Sequence, residues 1–313
     1  MIDSRDGIIG LAIGDAMGVP IEFFKREDLL NNPVTTMIGE QSHFVPKGSW
    51  SDDTSLNLAL IDSINNKKCI DLYDISRNFI EWGENGKYTP NGKMFGIGRT
   101  TLKAIARMER GDIELEKCGG DTESENGNGS LMRILPVAYY CFSKKYDDNE
   151  VYDLVKRISS LTHAHEISIM GCYIYVKFAL DLLDGKDIKT AYKNIKKLKY
   201  QYFSDYCKST YSRLIKGNIG KLKLEEIKSS GYVVDTLEAT IWTLLNTKSY
   251  NQSIIGSINL GGDADTIGAC TGGLAGIFYG FDNINKSWLK DLLKYNYIID
   301  LCNKFNEVLN YGK

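Results

Sequence analysis

Proline is scarce in this chain. The five prolines stand at positions 20, 33, 46, 90 and 136, and none follows Pro136. Nothing beyond that point takes away a backbone donor, so long uninterrupted helices are permitted. Paired cysteines are missing too. The seven cysteines are odd in number, irregular in spacing and never form a C-x-x-C pair, which argues against a disulfide framework or a zinc–thiolate site and fits a reducing cytoplasm. No apolar run is long enough to span a bilayer. The most apolar stretch, 266–280, is short and is headed by Asp263 and Asp265. At the N-terminus, Asp3, Asp6 and Asp15 interrupt "MIDSRDGIIGLAIGDAMG" and spoil a signal peptide. Charge of one sign is also lacking. The net charge is −2, so no stable nucleic-acid partner is expected. The loose basic run "KNIKKLKY" (193–200) reads as a solvated helix face.

Helical periodicity is what the chain has instead. In "DTSLNLALIDSIN" (53–65), Leu56, Ala59, Leu60 and Ile64 share one face behind acidic residues suited to a helix start. "EISIMGCYIYVKFALDLLDG" (166–185) is apolar nearly all round and reads as a central buried helix ending at Gly185. The stretches 233–246 and 285–309 also read as helical. Segments 31–50 and 111–129 read as loops, and long ordered loops are often functional. Repeats, linkers and composition breaks are absent. One mostly α-helical domain over 1–313, expected to be a monomer, is the simplest organisation.

Acids in unexpected places carry the chemistry. "GSWSDDTS" (48–55) opens a helix with Ser51, Asp52, Asp53 and Thr54. N-capping needs one such residue; two tandem acids exceed it. "LGGDADTIGACTGGLAGIFYG" (260–280) buries Asp263 and Asp265, followed by Thr266, with no Lys or Arg between Lys248 and Lys286. A buried acid costs several kcal/mol unless paired, so the partner comes from elsewhere in the fold or is a cation. Glycines 268, 272, 276 and 280 recur every fourth residue, as do Gly10, Gly14 and Gly18 in "GLAIGDAMGVPIEF" (10–23), just before Glu22. Two such faces can pack closely and bring their acidic ends together. Ser51, Asp52, Asp53, Asp263, Asp265, Thr266 and Glu22 are all oxygen donors, a set that suits Mg²⁺ or Mn²⁺. Two groups of acids suggest two ions, about 3.5–4 Å apart in such centres. In "ENGNGSLMRILPVA" (125–138), Gly127, Asn128, Gly129 and Ser130 form a small-residue loop whose N–H groups can cradle an anion; a simple turn is the alternative. Arg133 can pair with phosphate or with a core acid. In "LTHAHE" (161–166), His163 and His165 fall between helical segments, where structural or solvent-facing roles are the simpler reading.

In this order, "GLAIGDAMGVPIE", "GSWSDDTS", "GNGSLMR", "LTHAHE", "SGYVVDTLEA" and "LGGDADTIGACTGGLAGIFYG" resemble the ADP-ribosylglycohydrolase family over most of the chain. The resemblance implies an all-α fold, a compact orthogonal multi-helix bundle, with two divalent cations, Mg²⁺ or Mn²⁺, at the base of a cleft. It implies Ser51, Asp52, Asp53, Asp263, Asp265 and Thr266 as ligands and Glu22 as an acid beside them. It implies that Gly127, Asn128, Gly129 and Ser130 hold the diphosphate of ADP-ribose, that His163 lines the cleft and that Tyr232 walls the nucleotide pocket. The expected reaction is cleavage of the C1″ bond between ADP-ribose and a protein or small-molecule acceptor, with Glu22 or Asp53 moving protons. One position departs from the pattern. Arginine-acting members carry Asp-Ile-Gly where this chain has Gly96-Ile97-Gly98, so the acid near the scissile bond is replaced by Gly96. Two other readings stand beside this one. "DADT" superficially resembles the opening motif of haloacid-dehalogenase-type phosphatases, and a non-catalytic ADP-ribose-binding relative would keep the same fold.

Overall fold

Two glycine-striped helices run antiparallel through the centre of the protein. In the computed structural model, which describes residues 1–311, they are Arg5–Gly18 and Ala264–Tyr279. A Cβ on Gly10 would overlap the carbonyl oxygen of Gly272, and Gly14 meets Gly268 in the same way. Gly18 lies against the backbone of Ala264 and Asp265. Every residue of 7–18 and of 264–276 is buried, so neither helix has a polar face. Close approach of their backbones brings the C-terminal end of the first helix to the N-terminal end of the second.

Other helices sheathe this pair. Asp52–Lys67, Val233–Asn246, Tyr250–Ile258 and Glu166–Leu183 all pack on the glycine-rich helix or its partner. Sixteen α-helices and six short 3₁₀ turns carry the chain, and no strand occurs among the described residues. Two isolated bridges, Gly120 with His163 and Gly127 with Tyr232, pin loops together. Fully buried side chains such as Leu11, Ile13, Leu56, Phe178 and Phe305 form the core, each contributing about 1.5–3 kcal/mol by leaving water. No helix is long and apolar enough to cross a membrane.

The periodicity of 285–309 is broken in the structure. Helix Lys286–Asp291 stops, and Tyr295–Asn310 begins after Lys294, which has a left-handed φ of 46°. Tertiary contacts override the pattern here. Leu293 N–H donates to Gly48 O (3.1 Å) and Lys294 Nζ to Thr89 O (2.9 Å). A continuous helix would spend the Leu293 amide internally. The loop 111–129 contains only two 3₁₀ turns, Leu115–Lys117 and Glu123–Glu125. "DADT" opens a helix and follows no strand, so the phosphatase reading of that motif has no structural context.

Candidate active site: carboxylates at the floor of a cleft

Where the two central helices end, six acids converge. Asp15 comes from the last turn of Arg5–Gly18, and Glu22 follows that helix. Asp52 and Asp53 start the helix Asp52–Lys67, while Asp263 and Asp265 start Ala264–Tyr279. Carboxylate oxygens of Asp15, Asp53 and Asp265 lie within 4.8 Å of one another, as do those of Glu22, Asp263 and Asp265. Asp265 belongs to both groups. They sit at the floor of a cavity of about 620 Å³, whose wall includes Glu22, Asp52, Asp263, Asp265 and Thr266.

Capping accounts for one of these residues. Ser51 is the N-cap of its helix, accepting from Asp53 N–H at 3.2 Å and donating its hydroxyl to Asp53 Oδ2 at 2.7 Å. Asp263 occupies the N-cap position of the glycine-rich helix, but its side chain caps nothing. It accepts instead from Asn128 Nδ2 at 2.5 Å. Thr266 Oγ1 donates weakly to Asp53 Oδ2 at 3.4 Å. Asp53 Oδ1 is fully buried with no hydrogen-bond donor at all.

Burial among like charges dominates the electrostatics. It pushes Asp52, Asp53 and Asp265 well above the usual carboxylate range, with the neighbouring acids adding to the effect. Asp15 is raised by burial to about 6, against hydrogen bonds from Thr54 and Ser51 that favour its ionised form. Glu22 is raised by burial, partly offset by His43. The Glu22 partnership in turn raises His43. Among the described residues no Lys or Arg lies within 4.0 Å of any of the six acids; the one ion pair is His43 with Glu22. A largely buried, carboxylate-only donor set with an orphaned oxygen and no Lys or Arg counter-charge fits hard divalent cations.

The cleft walls hold the remaining expected residues in different ways. Gly127, Asn128, Gly129 and His163 line the cavity. Asn128 N–H is taken by Gly231 O, and its side-chain amide donates to Thr236 Oγ1 and Asp263 Oδ2. Among residues 127–130, the amides of Gly127, Gly129 and Ser130 are left without a protein acceptor. The Ser130 hydroxyl points inward, accepting from Ser159 Oγ at 2.9 Å. His163 Nδ1 pairs with Thr162 Oγ1 at 2.7 Å, and burial holds the ring down at about 3, so it is neutral. Tyr232 occupies the N-cap position of the helix Val233–Asn246 without a capping side-chain bond and is not on the cavity wall. Arg133 meets neither a phosphate site nor a core acid. It is buried, donates to the Gly129 and Ile158 carbonyls and stacks 5.2 Å from Phe79, bracing the loop from behind.

Two participants escape the sequence reading. Asp15 accepts from Ser51 N–H (3.0 Å), Thr54 N–H (3.0 Å) and Thr54 Oγ1 (2.6 Å), tying the first helix to the start of the helix Asp52–Lys67. Its signal was available, since it too is an acid inside an apolar run. His43 reaches Glu22 from an irregular loop and has no local signature. Gly96 lies on the cavity wall with φ of 85°, and a Cβ there would come within 2.5 Å of Asp52 Oδ1. The space of the missing acid is therefore bordered by Asp52.

Comparison with known proteins places the whole chain in one family. The family description "ADP-ribosylglycohydrolase" matches residues 4–312. The ADP-ribosylarginine hydrolase Tri1 of Serratia proteamaculans is 31% identical over 307 residues, covering 96% of this chain and 77% of the relative. The ADP-ribosyl-[dinitrogen reductase] glycohydrolase of Rhodospirillum rubrum is 30% identical, covering 91% and 88%. A solved structure described as an ADP-ribosylglycohydrolase-related protein complex superposes with a TM-score of 0.80 at 25% identity, covering 98% of each chain. This chain belongs to the ADP-ribosylglycohydrolase family.

Proposed function

We propose that this enzyme cleaves the bond between C1″ of ADP-ribose and an acceptor, using two divalent cations, Mg²⁺ or Mn²⁺, held by the carboxylate floor. The observation that carries the reading is the pair of three-carboxylate groups sharing Asp265, all buried but the half-buried Asp263, with no Lys or Arg beside them. Asp15, Asp53 and Asp265 would hold one ion, and Glu22, Asp263 and Asp265 border the other, with Asp52 and Thr266 beside them on the wall. Such ions bind vicinal hydroxyls and lower the pKa of bound water. Asp53 lies beneath the wall, with Oδ2 held by Ser51 and Thr266 and Oδ1 buried without a donor, which suits a ligand rather than a proton carrier. Glu22 is on the wall, is raised by burial and is oriented by His43, so it is the group placed to move a proton. The free amides of Gly127 and Gly129, both on the cavity wall, would receive the diphosphate, and neutral His163 packs beneath Gly129 without adding charge. Binding energy gathered there, away from the reacting carbon, positions C1″ over the acids.

The acceptor leaves through the side bordered by Gly96 and Phe23. Relatives named for arginine linkages support an arginine acceptor, with Asp52 facing the position that Gly96 leaves open. A release assay on arginine-, serine- and nucleobase-linked ADP-ribose, with Mg²⁺, Mn²⁺ or EDTA, tests the reading. Release that stops with EDTA and in Asp53→Ala and Asp265→Ala is expected. EDTA-insensitive release, or full activity in both variants, would contradict it.

A further inference from the structure

The basic run that reads as a solvated face in the sequence does something more specific in three dimensions. Lys189 and Lys193 lie on the helix Ile188–Ile195, Lys196 and Lys197 in the turn after it, and Lys221 on the 3₁₀ turn Ile219–Lys221. All five line one cavity of about 600 Å³, with Tyr192 and Leu245 on its wall and no acidic residue. None of the five has a carboxylate within 4.0 Å. Nearby lysines behave differently: Lys186 pairs with Asp181, Lys208 with Asp205 and Lys223 with Glu225. Lys196 alone is engaged, donating to Gly217 O at 2.7 Å and lying 5.5 Å from the Tyr192 ring. Five uncompensated cations around one concavity, in a protein of net charge −2, create a local positive potential that calls for an anionic partner.

The chemistry of the wall says which kind. All five cations are lysines, with no arginine fork for bidentate phosphate. The single aromatic, Tyr192, is buried and sends its hydroxyl inward to Leu214 O at 3.1 Å, so no exposed ring offers a base-stacking platform. Acidic side chains of a protein fit this surface better than a nucleic-acid strand. Position supplies the link to catalysis. Lys221 lines the basic cavity, and Ser229, Ser230 and Gly231 line the catalytic one. From 221 to 229 the chain reaches at most about 29 Å fully extended, and the 3₁₀ turn Leu224–Glu226 shortens it. An ordinary protein–protein face buries about 800 Å² per partner, a disc roughly 32 Å across. Leu245, on the lysine cavity, and Val233, beside the cleft loop, stand at opposite ends of the helix Val233–Asn246, about 18 Å apart along its axis, so a protein substrate that extends from the cleft along this helix reaches the lysine cavity.

We propose that this lysine-lined cavity is a docking site for an acidic surface of the ADP-ribosylated protein substrate. The inference rests on the hydrolase reading above and adds that the natural substrate is a macromolecule selected by charge. The test uses the full chain, its Lys189→Glu/Lys193→Glu/Lys197→Glu variant, and whichever linkage the wild type releases, presented both on a small molecule and on an acidic globular carrier. The variant is expected to lose about tenfold or more in kcat/KM on the carrier, through KM, and to match the wild type on the small molecule; the wild-type preference for the carrier fades at about 0.5 M salt. Equal loss on both substrates, or none on the carrier, overturns the proposal. Binding of a poly-glutamate peptide, read by fluorescence anisotropy, tests the surface without catalysis. Wild-type binding lost in the variant supports it, and no wild-type binding overturns it. Tighter binding of a single-stranded oligonucleotide than of poly-glutamate overturns it in favour of nucleic acid. A wild type that releases ADP-ribose from neither substrate refutes the hydrolase reading and leaves the peptide measurement to decide the docking site.

Discussion

At the scale of single residues, the site trades folding stability for binding capacity. Asp265 is buried between other carboxylates, and its ionised form is opposed on every side. Asp265→Asn keeps the acceptor for Thr266 N–H (2.9 Å) and removes the repulsion. In the absence of divalent ions the variant should melt higher than wild type, by on the order of 1 kcal/mol per pKa unit relieved. The rise in melting temperature on adding Mn²⁺ should vanish. A variant that melts lower, or still responds to Mn²⁺, would show that Asp265 is structural. Asp15 differs, because its oxygens also receive three donors from residues 51–54. Asp15→Ala should cost about 3 kcal/mol or more in urea unfolding by orphaning those donors, and Asp15→Asn clearly less. Most of the acids were legible in the sequence because carboxylates stood in apolar stretches with no basic residue nearby. Asp15 carries the same signal more weakly, because it has no tandem partner and sits among glycines that packing already explains. The His43–Glu22 pair was illegible, since it joins a loop to a helix end through a contact with no periodic signal.

At the scale of elements, the glycine stripes set how close the acids come. Gly14 and Gly268 face each other backbone to backbone, and neither main chain can move aside as a flexible side chain could. Gly14→Ala and Gly268→Ala should each destabilise the protein by about 1–3 kcal/mol or more through overpacking. They should also weaken divalent-ion binding, because separated helices part Asp15 from Asp265. Gly83 is the control, with nothing nearer to its Cβ position than Ile105 Cγ2 at 3.8 Å. Gly83→Ala should gain up to about 1 kcal/mol from helix propensity and leave ion binding unchanged. Thermal melts with an ion titration separate the two classes; equal ion affinity in all three variants would remove the stripe from the site's construction. The stripes were legible because the fourfold spacing of small residues has one geometric consequence on a helix. The break at 292–294 was not, because the interactions that end the helix there come from residues 48 and 89, far away in sequence.

At the scale of the whole molecule, pH and divalent ions act on one reservoir of stored repulsion. Asp15 is raised to about 6, and Asp52, Asp53 and Asp265 lie well above the ordinary carboxylate value. The ion-free folded protein therefore binds more protons than the unfolded chain, whose aspartates titrate near about 3.9. Stability falls with rising pH wherever the folded state holds the extra protons. That stability is present below the unfolded value and is lost as pH rises through about 6 and beyond. His43, raised by Glu22, acts in the same direction. Ion binding reverses the trend, since ligands must release protons to coordinate and the freed carboxylates gain their counter-charge. Ion affinity should thus climb as pH rises through about 6 and above, where ion-free stability declines, because both follow one proton-linked equilibrium. At an ion concentration about a hundred times its dissociation constant, binding adds roughly 2.7 kcal/mol. Urea melts across this range, with Mn²⁺ and with EDTA, should give a declining stability in EDTA and a flat or rising one in Mn²⁺. Parallel curves would mean that the buried carboxylates do not meet the ions, and the metal reading of the site would fall with them.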